Sequence, residues 1–167
     1  MLAQQLKHFD VVNIGAAGTF VVRAPTSQTH LRAELSRRLP FETSIIICKG
    51  QDLLHIANCK PFGDESAGSG VVRFVSVMAK RPSQVPSIPM SFPGQGKWLL
   101  RILATDKRFV FGQYRRHMKS IGFLGMIDRI FGVPVTTRNW NTIVAIVEVL
   151  RNPSSFATGT ITRRAQR

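Results

Sequence analysis

The chain has 167 residues, 44% of them hydrophobic, which is enough to bury a core as one domain or as two small lobes. Its net charge is +14, and +10 of that charge falls in the last 71 positions, from Lys97 onward. Such a field attracts polyanions and anionic membranes without specifying either, and a basic surface that binds nothing is the simplest alternative. Two cysteines are too few for a disulfide framework, and no apolar run approaches the roughly 18 residues of a membrane span. Gln4, Gln5 and Lys7 interrupt the region where a signal peptide would be apolar, so we expect a cytoplasmic protein.

Short helices and strands alternate in the first half of the chain. Leu31, Leu35 and Leu39 recur at helical spacing, and Pro25-Thr26-Ser27 before them offers an N-cap. A β-branched run from Thr43 to Cys48 is too short for a helix and predicts a buried strand. The predicted elements are a helix over 2–9, strands over 10–15 and 19–23 around a glycine turn, a helix over 28–39, a strand over 43–48 and a helix over 52–57.

The second half begins after a polar, glycine-rich linker over 63–70. Prolines between Pro82 and Pro93 predict a stiff, extended connection. Gly132 and Pro134 mark the end of one helix before the next one begins. The predicted elements are a strand over 71–78, a hairpin of strands over 97–104 and 107–115, a helix over 118–131 with Ile121, Leu124, Ile127 and Ile130 on one face, and a final helix over 139–151, for which a strand is the alternative.

Helices and strands interleave in this order without a regular βαβ repeat, which favours an α+β fold over a doubly wound sheet. We predict two small lobes. The first lobe, over 1–62, matches a ferredoxin-like βαββαβ unit whose first strand is missing. The second lobe, over 71–152, combines a β-hairpin sheet with two C-terminal helices, and residues 153–167 are predicted to be a frayed basic tail.

Three segments resemble one bacterial protein family. Val133 to Thr142, with the sequence Val-Pro-Val-Thr-Thr-Arg-Asn-Trp-Asn-Thr, resembles the C-terminal signature of the bacterial domain of unknown function 1697. Asn58 to Phe62 resembles the Asn-Pro-Phe element that closes the first lobe of that family, and Ile14 to Val22 stands where the family has a Ser-Gly-Asn turn before an apolar strand. The resemblance runs from the start of the chain to the last predicted helix. It implies a two-lobed α+β protein with a ferredoxin-like first lobe, and it implies no activity.

The chain departs from this family in two places. Family members open with a strand and an Arg-Gly-Ile-Asn-Val-Gly-Gly segment that the sequence lacks, and Gly15-Ala16-Ala17-Gly18 replaces the Ser-Gly-Asn turn. The missing strand is central in a ferredoxin-like sheet, so its loss would leave buried backbone groups unpaired at a cost of about 1–3 kcal/mol each. Three explanations stay open: a start upstream of Met1, a rearranged sheet, or a strand supplied by a partner.

The stretch around Arg138 concentrates hydroxyl, amide and guanidinium groups where the last helix is expected to start. Hydroxyl and amide side chains there can cap the free backbone N–H groups, which together with the helix dipole favour an anion. Arg138 would complete a phosphate or carboxylate clamp. In the alternative interpretation the hydroxyls only cap the helix, Trp140 packs on the core and Arg138 pairs with an acid. The candidate binding residues in this stretch are Thr136, Thr137, Arg138, Asn139 and Asn141.

The hairpin over 97–116 interleaves aromatic residues, Trp98 and Tyr114 among them, with Lys and Arg. Bases stack on aromatic rings while cations follow the phosphates, which is how sheet platforms hold single strands of nucleic acid. Phe109 and Phe111 share one strand face, however, and a buried core face has the same pattern. The candidate binding residues on the hairpin are Arg108, Tyr114, Arg115 and Arg116.

Enzyme signatures in the sequence are weak. Gly94-Gln95-Gly96-Lys97 ends like a phosphate-binding loop, but Trp98 stands where such a loop has a Ser or Thr for magnesium. His55 and Cys59 have the i, i+4 spacing of a base and a thiol, but no residue is identified that would orient the base. The four histidines show no metal-ligand spacing, so we expect neither a metal nor a cofactor.

Three kinds of function stay open. The leading hypothesis is a non-enzymatic binding module for a nucleic acid or a phosphorylated small molecule, which the basic C-terminal half and the Arg138 stretch favour. The second is a structural or homo-oligomeric protein whose partner supplies the missing strand. The third is an enzyme with a pocket between the two lobes.

Overall fold

The computed structural model describes residues 6–15, 18–39, 43–63 and 67–152. They form two compact units: the first holds the described residues up to Leu54 and those from Val144 on, and the second runs from His55 to Ile143. The mixture of helices with a two-stranded and a five-stranded sheet confirms the predicted α+β class. The predicted lobe boundaries at residues 62 and 71 stay a prediction, and the predicted tail over 153–167 lies outside the described residues.

The first unit is built around a short antiparallel hairpin, in which Val12 lies opposite Val21. Its core cluster consists of Leu6, Phe9 and Leu31, so the hairpin and the first helix enclose a small apolar centre. The elements in chain order are a 3-10 turn (Lys7–Phe9), which is the part of the predicted 2–9 helix that the structure describes, β1 (Val11–Asn13), β2 (Phe20–Val22), α1 (Gln28–Arg38) and the start of α2 (Gly50–Asn58).

Polar groups fix both ends of α1. The Oγ of Ser27 accepts a hydrogen bond from the backbone N–H of His30 (3.1 Å), which is the N-cap predicted for this helix. In the last turn, the carboxylate of Glu34 accepts hydrogen bonds from Arg38 (2.7 Å) and from Arg37 (2.9 Å). These bonds, that of Arg38 first, lower the pKa of Glu34 from its usual 4.5 to about 2. Arg37 and Arg38 therefore share one carboxylate, which compensates one of their two charges.

The strand predicted over 43–48 is wrong, because these residues belong to no strand of either sheet. Ile47 packs against the core cluster of the first unit, and the carbonyl oxygen of Ile45 accepts a hydrogen bond from Arg32 (2.6 Å). A β-branched composition suits a strand, but a strand also needs a neighbouring edge to pair with. Of the predicted ferredoxin-like unit, the described residues therefore show the hairpin and the two helices but not this strand.

The second unit is organised by a five-stranded antiparallel sheet in the order β4-β5-β6-β3-β7. The predicted strand over 71–78 is confirmed, and so is the following hairpin, although its turn lies at Lys107 and Arg108, two residues later than predicted. Two strands were not predicted, one in the proline-rich connection and one just before the last helix. The strands are β3 (Val71–Met78), β4 (Met90–Phe92), β5 (Leu100–Asp106), β6 (Phe109–Arg115) and β7 (Val135–Asn139).

One face of this sheet, which we call the core face, carries the main hydrophobic core. Phe74 and Met78 of β3 are fully buried there, together with residues of the two short helices that follow β6. Gly112 lies opposite Phe74, and a side chain at this position would collide with the Phe74 ring and with the carbonyl oxygen of Arg101. Side chains alternate along each strand, so Val75 and its cross-strand neighbours point to the opposite, reverse face.

Three helices complete the described chain. The helix predicted over 118–131 is interrupted at Gly125 and Met126, giving α3 (Met118–Leu124) and α4 (Ile127–Phe131). Gly132 ends α4 in the left-handed conformation (φ 66°), as predicted. The final helix, α5 (Trp140–Arg151), is confirmed. None of the helices in the described ranges is long and apolar enough to cross a membrane.

Candidate functional site

The Arg138 stretch does not open the last helix. Its residues 136–139 belong to β7, which pairs with β3, and α5 begins only at Trp140. The helix-mouth prediction is therefore wrong for Thr136, Thr137 and Arg138, whereas Asn139 directly precedes α5. The Oγ1 of Thr137 lies 2.6 Å from the Oγ of the buried Ser76, so this hydroxyl bonds across the sheet and does not cap a helix.

Arg138 lies half-buried on the reverse face, opposite Val75 of β3. Its Nη1 donates hydrogen bonds to the Oγ1 of Thr136 and to the carbonyl oxygen of Thr137, both over 2.8 Å. Burial lowers the pKa of the Arg138 guanidinium. These contacts tie the side chain to its own strand, and the anion or carboxylate expected opposite it stays a prediction.

Tyr114 and Asn139 lie on the core face instead. The ring of Tyr114 lies 6.1 Å from that of Phe74 and packs against the core cluster. Its hydroxyl donates a hydrogen bond to the Oδ1 of Asn139 over 3.4 Å. Asn141 is exposed in the first turn of α5. The predicted candidates are thus divided between the two faces of the sheet and the helix.

The basic candidates of the hairpin lie at opposite ends of β6. Arg108 precedes the strand, and its Nε donates a hydrogen bond to the carbonyl oxygen of Met78 (2.7 Å). Arg115 and Arg116 lie at the far end, and Arg116 is exposed. A seven-residue strand separates its ends by about 20 Å, so Arg108 does not share a site with the other two.

The strand register aligns a row of polar side chains on the reverse face. Gln113 of β6 is paired with Arg73 of β3 on one side and with Arg101 of β5 on the other. Arg101 is in turn paired with Ser91 of β4. Directly paired residues lie on the same face of an antiparallel sheet, so these four side chains form one row, which we call the arginine row. Arg115, two residues after Gln113, lies on the same face beside the row.

Aromatic rings support the arginines of this region. The guanidinium carbons of Arg101 and Arg115 both lie 4.3 Å from the ring centroid of Trp98, and the Nε of Arg115 donates a hydrogen bond to the Trp98 carbonyl oxygen (3.1 Å). The guanidinium of Arg73 lies over the ring of Phe62, 5.3 Å from its centroid. The Nη2 of Arg73 also donates a hydrogen bond to the Phe62 carbonyl oxygen (3.5 Å). At Arg101 and Arg115 the aromatic face orients the guanidinium while its N–H edge stays able to bind an anion. The three arginines are half-buried and held in place.

Within the described ranges, no carboxylate forms a salt bridge with Arg101 or Arg115; the acids that form salt bridges there are Asp10, Glu34 and Asp106. Arginines that are stacked on a ring without an acidic partner keep their charge for an external anion. The arginine row together with Trp98 and Arg115 is therefore the candidate functional site.

Sequence reasoning found this site only in part. Arg115 is the one predicted candidate that lies in it, and Trp98 and Arg101 belong to the hairpin pattern that suggested a platform. Phe109 and Phe111 are buried, so the core interpretation of these two residues is the one the structure supports. Arg73, Gln113 and Ser91 were not predicted, because only the register of four strands brings them together.

A second polar cluster lies at the end of α2. The Sγ of Cys59 lies 3.7 Å from the Nε2 of His55, and the same nitrogen lies 3.3 Å from the Oδ2 of Asp106. A nucleophile and its orienting carboxylate contact different nitrogens of a catalytic histidine, so this is not the arrangement of a Cys-His-Asp triad. In the part of the chain that the structure describes, no group of three or more His, Cys, Asp or Glu residues could hold a metal ion.

No protein-family model matches this chain, and no curated protein or solved structure is significantly similar to it. The resemblance of residues 133–142 to the bacterial domain of unknown function 1697 therefore stays a prediction. Any assignment of function rests on the geometry of the arginine row.

Proposed function

We propose that the chain is a non-enzymatic binding module that holds a single strand of nucleic acid along the arginine row. The observation that carries the proposal is the alignment of Arg73 and Arg101 on either side of Gln113, with Arg115 and Trp98 beside them. Arg101 and Arg115 lie on one face and attract phosphates, and the excess of positive charge from residue 97 onward steers polyanions towards the protein.

The shape of the region favours a single strand over a duplex. Reading a duplex groove requires an element that projects into it, such as a helix or a β-ribbon. The arginines of the row are half-buried side chains of a sheet and do not project in this way. A flexible single strand can follow the sheet surface, with its bases stacked on guanidinium planes or on the exposed part of Trp98. Gln113 and Ser91 add neutral hydrogen-bonding groups between the cations.

A phosphorylated small molecule would use the same arginines, so the length of the ligand separates the two possibilities. A strand that crosses the row gains affinity with each added phosphate until the row is filled, whereas a mononucleotide engages only part of it. The family resemblance, a cytoplasmic location and a homo-oligomeric state are further predictions that accompany this proposal without supporting it.

The test is fluorescence anisotropy of labelled oligouridine and oligothymidine of increasing length, at low and at physiological salt. We expect the double variant Arg101→Ala/Arg115→Ala to bind at least about tenfold more weakly, with a salt slope smaller by about 1.4, since each lost contact to a single strand removes about 0.7. The matched control is Arg37→Ala/Arg38→Ala, which removes the same charge from α1, where Glu34 already binds both side chains. Its affinity should stay within about threefold of the wild type.

Two results would overturn the proposal. One is the absence of binding by the wild-type chain at low salt, where the electrostatic contribution is largest. The other is an equal loss of affinity in the two double variants, which would mean that diffuse charge and not the arginine row binds the strand. Thermal melting of both variants confirms that each is folded.

A further inference from the structure

Helix α3 presents apolar side chains to solvent and buries its serine. Met118 is 82% exposed and Ile121 is 67% exposed, the two largest values among the large hydrophobic residues of the described chain. Ser120, between them, is 1% exposed. Met126, in the turn after the helix, is 38% exposed. An ordinary surface helix keeps its apolar stripe on the core, but α3 has apolar residues on both sides, because Phe123 and Leu124 pack against the core cluster.

The rotation of α3 is fixed by polar and aromatic contacts on its inner side. The Oγ of Ser120 donates a hydrogen bond to the carbonyl oxygen of Arg115 (2.7 Å). Phe123 stacks on Phe92 of β4, with ring centroids 5.9 Å apart. The sequence predicted Ile121 on the core face of one long helix, but the interruption at Gly125 ends that helix early. The exposure of Ile121 is thus a consequence of well-defined contacts on the opposite side of the helix.

Basic residues flank this apolar tip in the sequence. Arg116, Lys119 and Arg129 are exposed, and Asp128 is the one acidic residue between Asp106 and Glu148. Two copies of such a tip would repel each other, so its charge opposes self-association. A helix that docks in a protein groove uses anchors at i, i+3 or i+4, and i+7, but position i+7 from Met118 is Gly125. Both considerations favour an extended anionic surface as the partner.

We propose that this tip, formed by α3 and the turn after it, docks the protein on an anionic lipid surface. Met118, Ile121 and Met126 enter the boundary between head groups and acyl chains, and the flanking basic side chains bind anionic head groups. The site uses none of the residues of the arginine row, and it does not depend on the proposed binding of nucleic acid.

The test is co-sedimentation of the full chain with vesicles of phosphatidylcholine alone or of phosphatidylcholine mixed with phosphatidylserine. We expect binding to the anionic vesicles only, and at least about tenfold weaker binding for Met118→Ser/Ile121→Ser. Val85→Ser is the matched control, because Val85 is also exposed (58%) but lies in the proline-rich connection. It should bind like the wild type. Arg116→Gln/Lys119→Gln should weaken binding to the anionic vesicles and reduce its sensitivity to salt.

Two outcomes would overturn the docking proposal: equal sedimentation of the wild type with neutral and anionic vesicles, or unchanged binding by Met118→Ser/Ile121→Ser. A concentration-dependent dimer that this double variant abolishes, without vesicle binding by the wild type, would assign the tip to self-association instead. Arg101→Ala/Arg115→Ala should retain full vesicle binding, so failure of the nucleic-acid proposal and failure of this one give different results.

Discussion

Two groups of arginines in this protein differ in what surrounds them. Arg37 and Arg38 of α1 share the carboxylate of Glu34, with N···O distances of 2.9 and 2.7 Å. Arg101 and Arg115, at the arginine row, both lie over the ring of Trp98. The two arginines of the first group share one acidic partner, which lies three and four residues before them in sequence. The guanidinium groups of the second keep their charge, and the Trp98 ring fixes the direction in which they point.

The comparison shows why net charge alone does not identify a binding site. All of these arginines count equally in the formal charge of +14. A carboxylate within hydrogen-bond distance compensates part of the charge of Arg37 and Arg38, whereas an aromatic face compensates none and only orients the guanidinium. Adding an acid to the arginine row, removing its ring, or removing the acid of α1 should therefore change binding by different amounts.

The largest effect should come from giving the arginine row the acid that α1 has. In Gln113→Glu the new carboxylate lies between Arg73 and Arg101, and we expect affinity for single-stranded RNA to fall at least about tenfold, or 1.4 kcal/mol. Gln84→Glu makes the same change of charge at an exposed position in the proline-rich connection, and it should lower affinity by less than about threefold. Anisotropy measures both. Equal losses would show that the row is no different from the rest of the basic surface.

Removing the aromatic support should have a smaller effect. Trp98→Leu removes the ring that holds Arg101 and Arg115 in place, so both side chains must be ordered on binding, and we expect RNA affinity to fall by about three- to tenfold. The slope of affinity against salt should not change, because no phosphate contact is lost. Trp98→Phe keeps a ring and should lose less. A changed salt slope in Trp98→Leu, at unchanged thermal stability, would contradict the assignment of Trp98 as a support for the arginines.

Local chemistry was predictable from the sequence where neighbouring residues decide the structure. Pro25-Thr26-Ser27 indicated the cap of α1, and Gly132 indicated the end of α4, because caps and left-handed positions depend on the residue itself and on those next to it. The strand over 71–78 was also predictable, since its β-branched and aromatic composition agrees with the buried position of its last five residues.

Prediction failed where an element distant in sequence decides the structure. Residues 43–48 have the composition of a strand and form none, whereas residues 135–139, with the composition of a helix start, form β7 because an edge of β3 is available to them. The arginine row has the same origin: Arg73 meets Gln113 only through the pairing of β3 with β6. A sequence pattern indicates which residues are suited to a strand, but it does not indicate which other strand will pair with them.

The smallest effect on binding, and the sharpest control on the comparison, should come from Glu34→Gln. This substitution removes the negative charge that Arg37 and Arg38 share without giving them the aromatic support found at the row, so RNA affinity should rise by less than about twofold. Its effect on stability should depend on pH. The pKa of Glu34 is about 2 in the folded protein against its usual 4.5, so the unfolded chain takes up the proton first as the pH falls. The carboxylate therefore stabilises the fold fully above pH 4.5, and this contribution is lost between pH 4.5 and 2. Thermal melts should show the wild type more stable than Glu34→Gln at pH 7, and the two equal near pH 2. A gain in RNA affinity as large as the loss in Gln113→Glu would break the comparison, because it would mean that any unpaired arginine of this chain binds the strand.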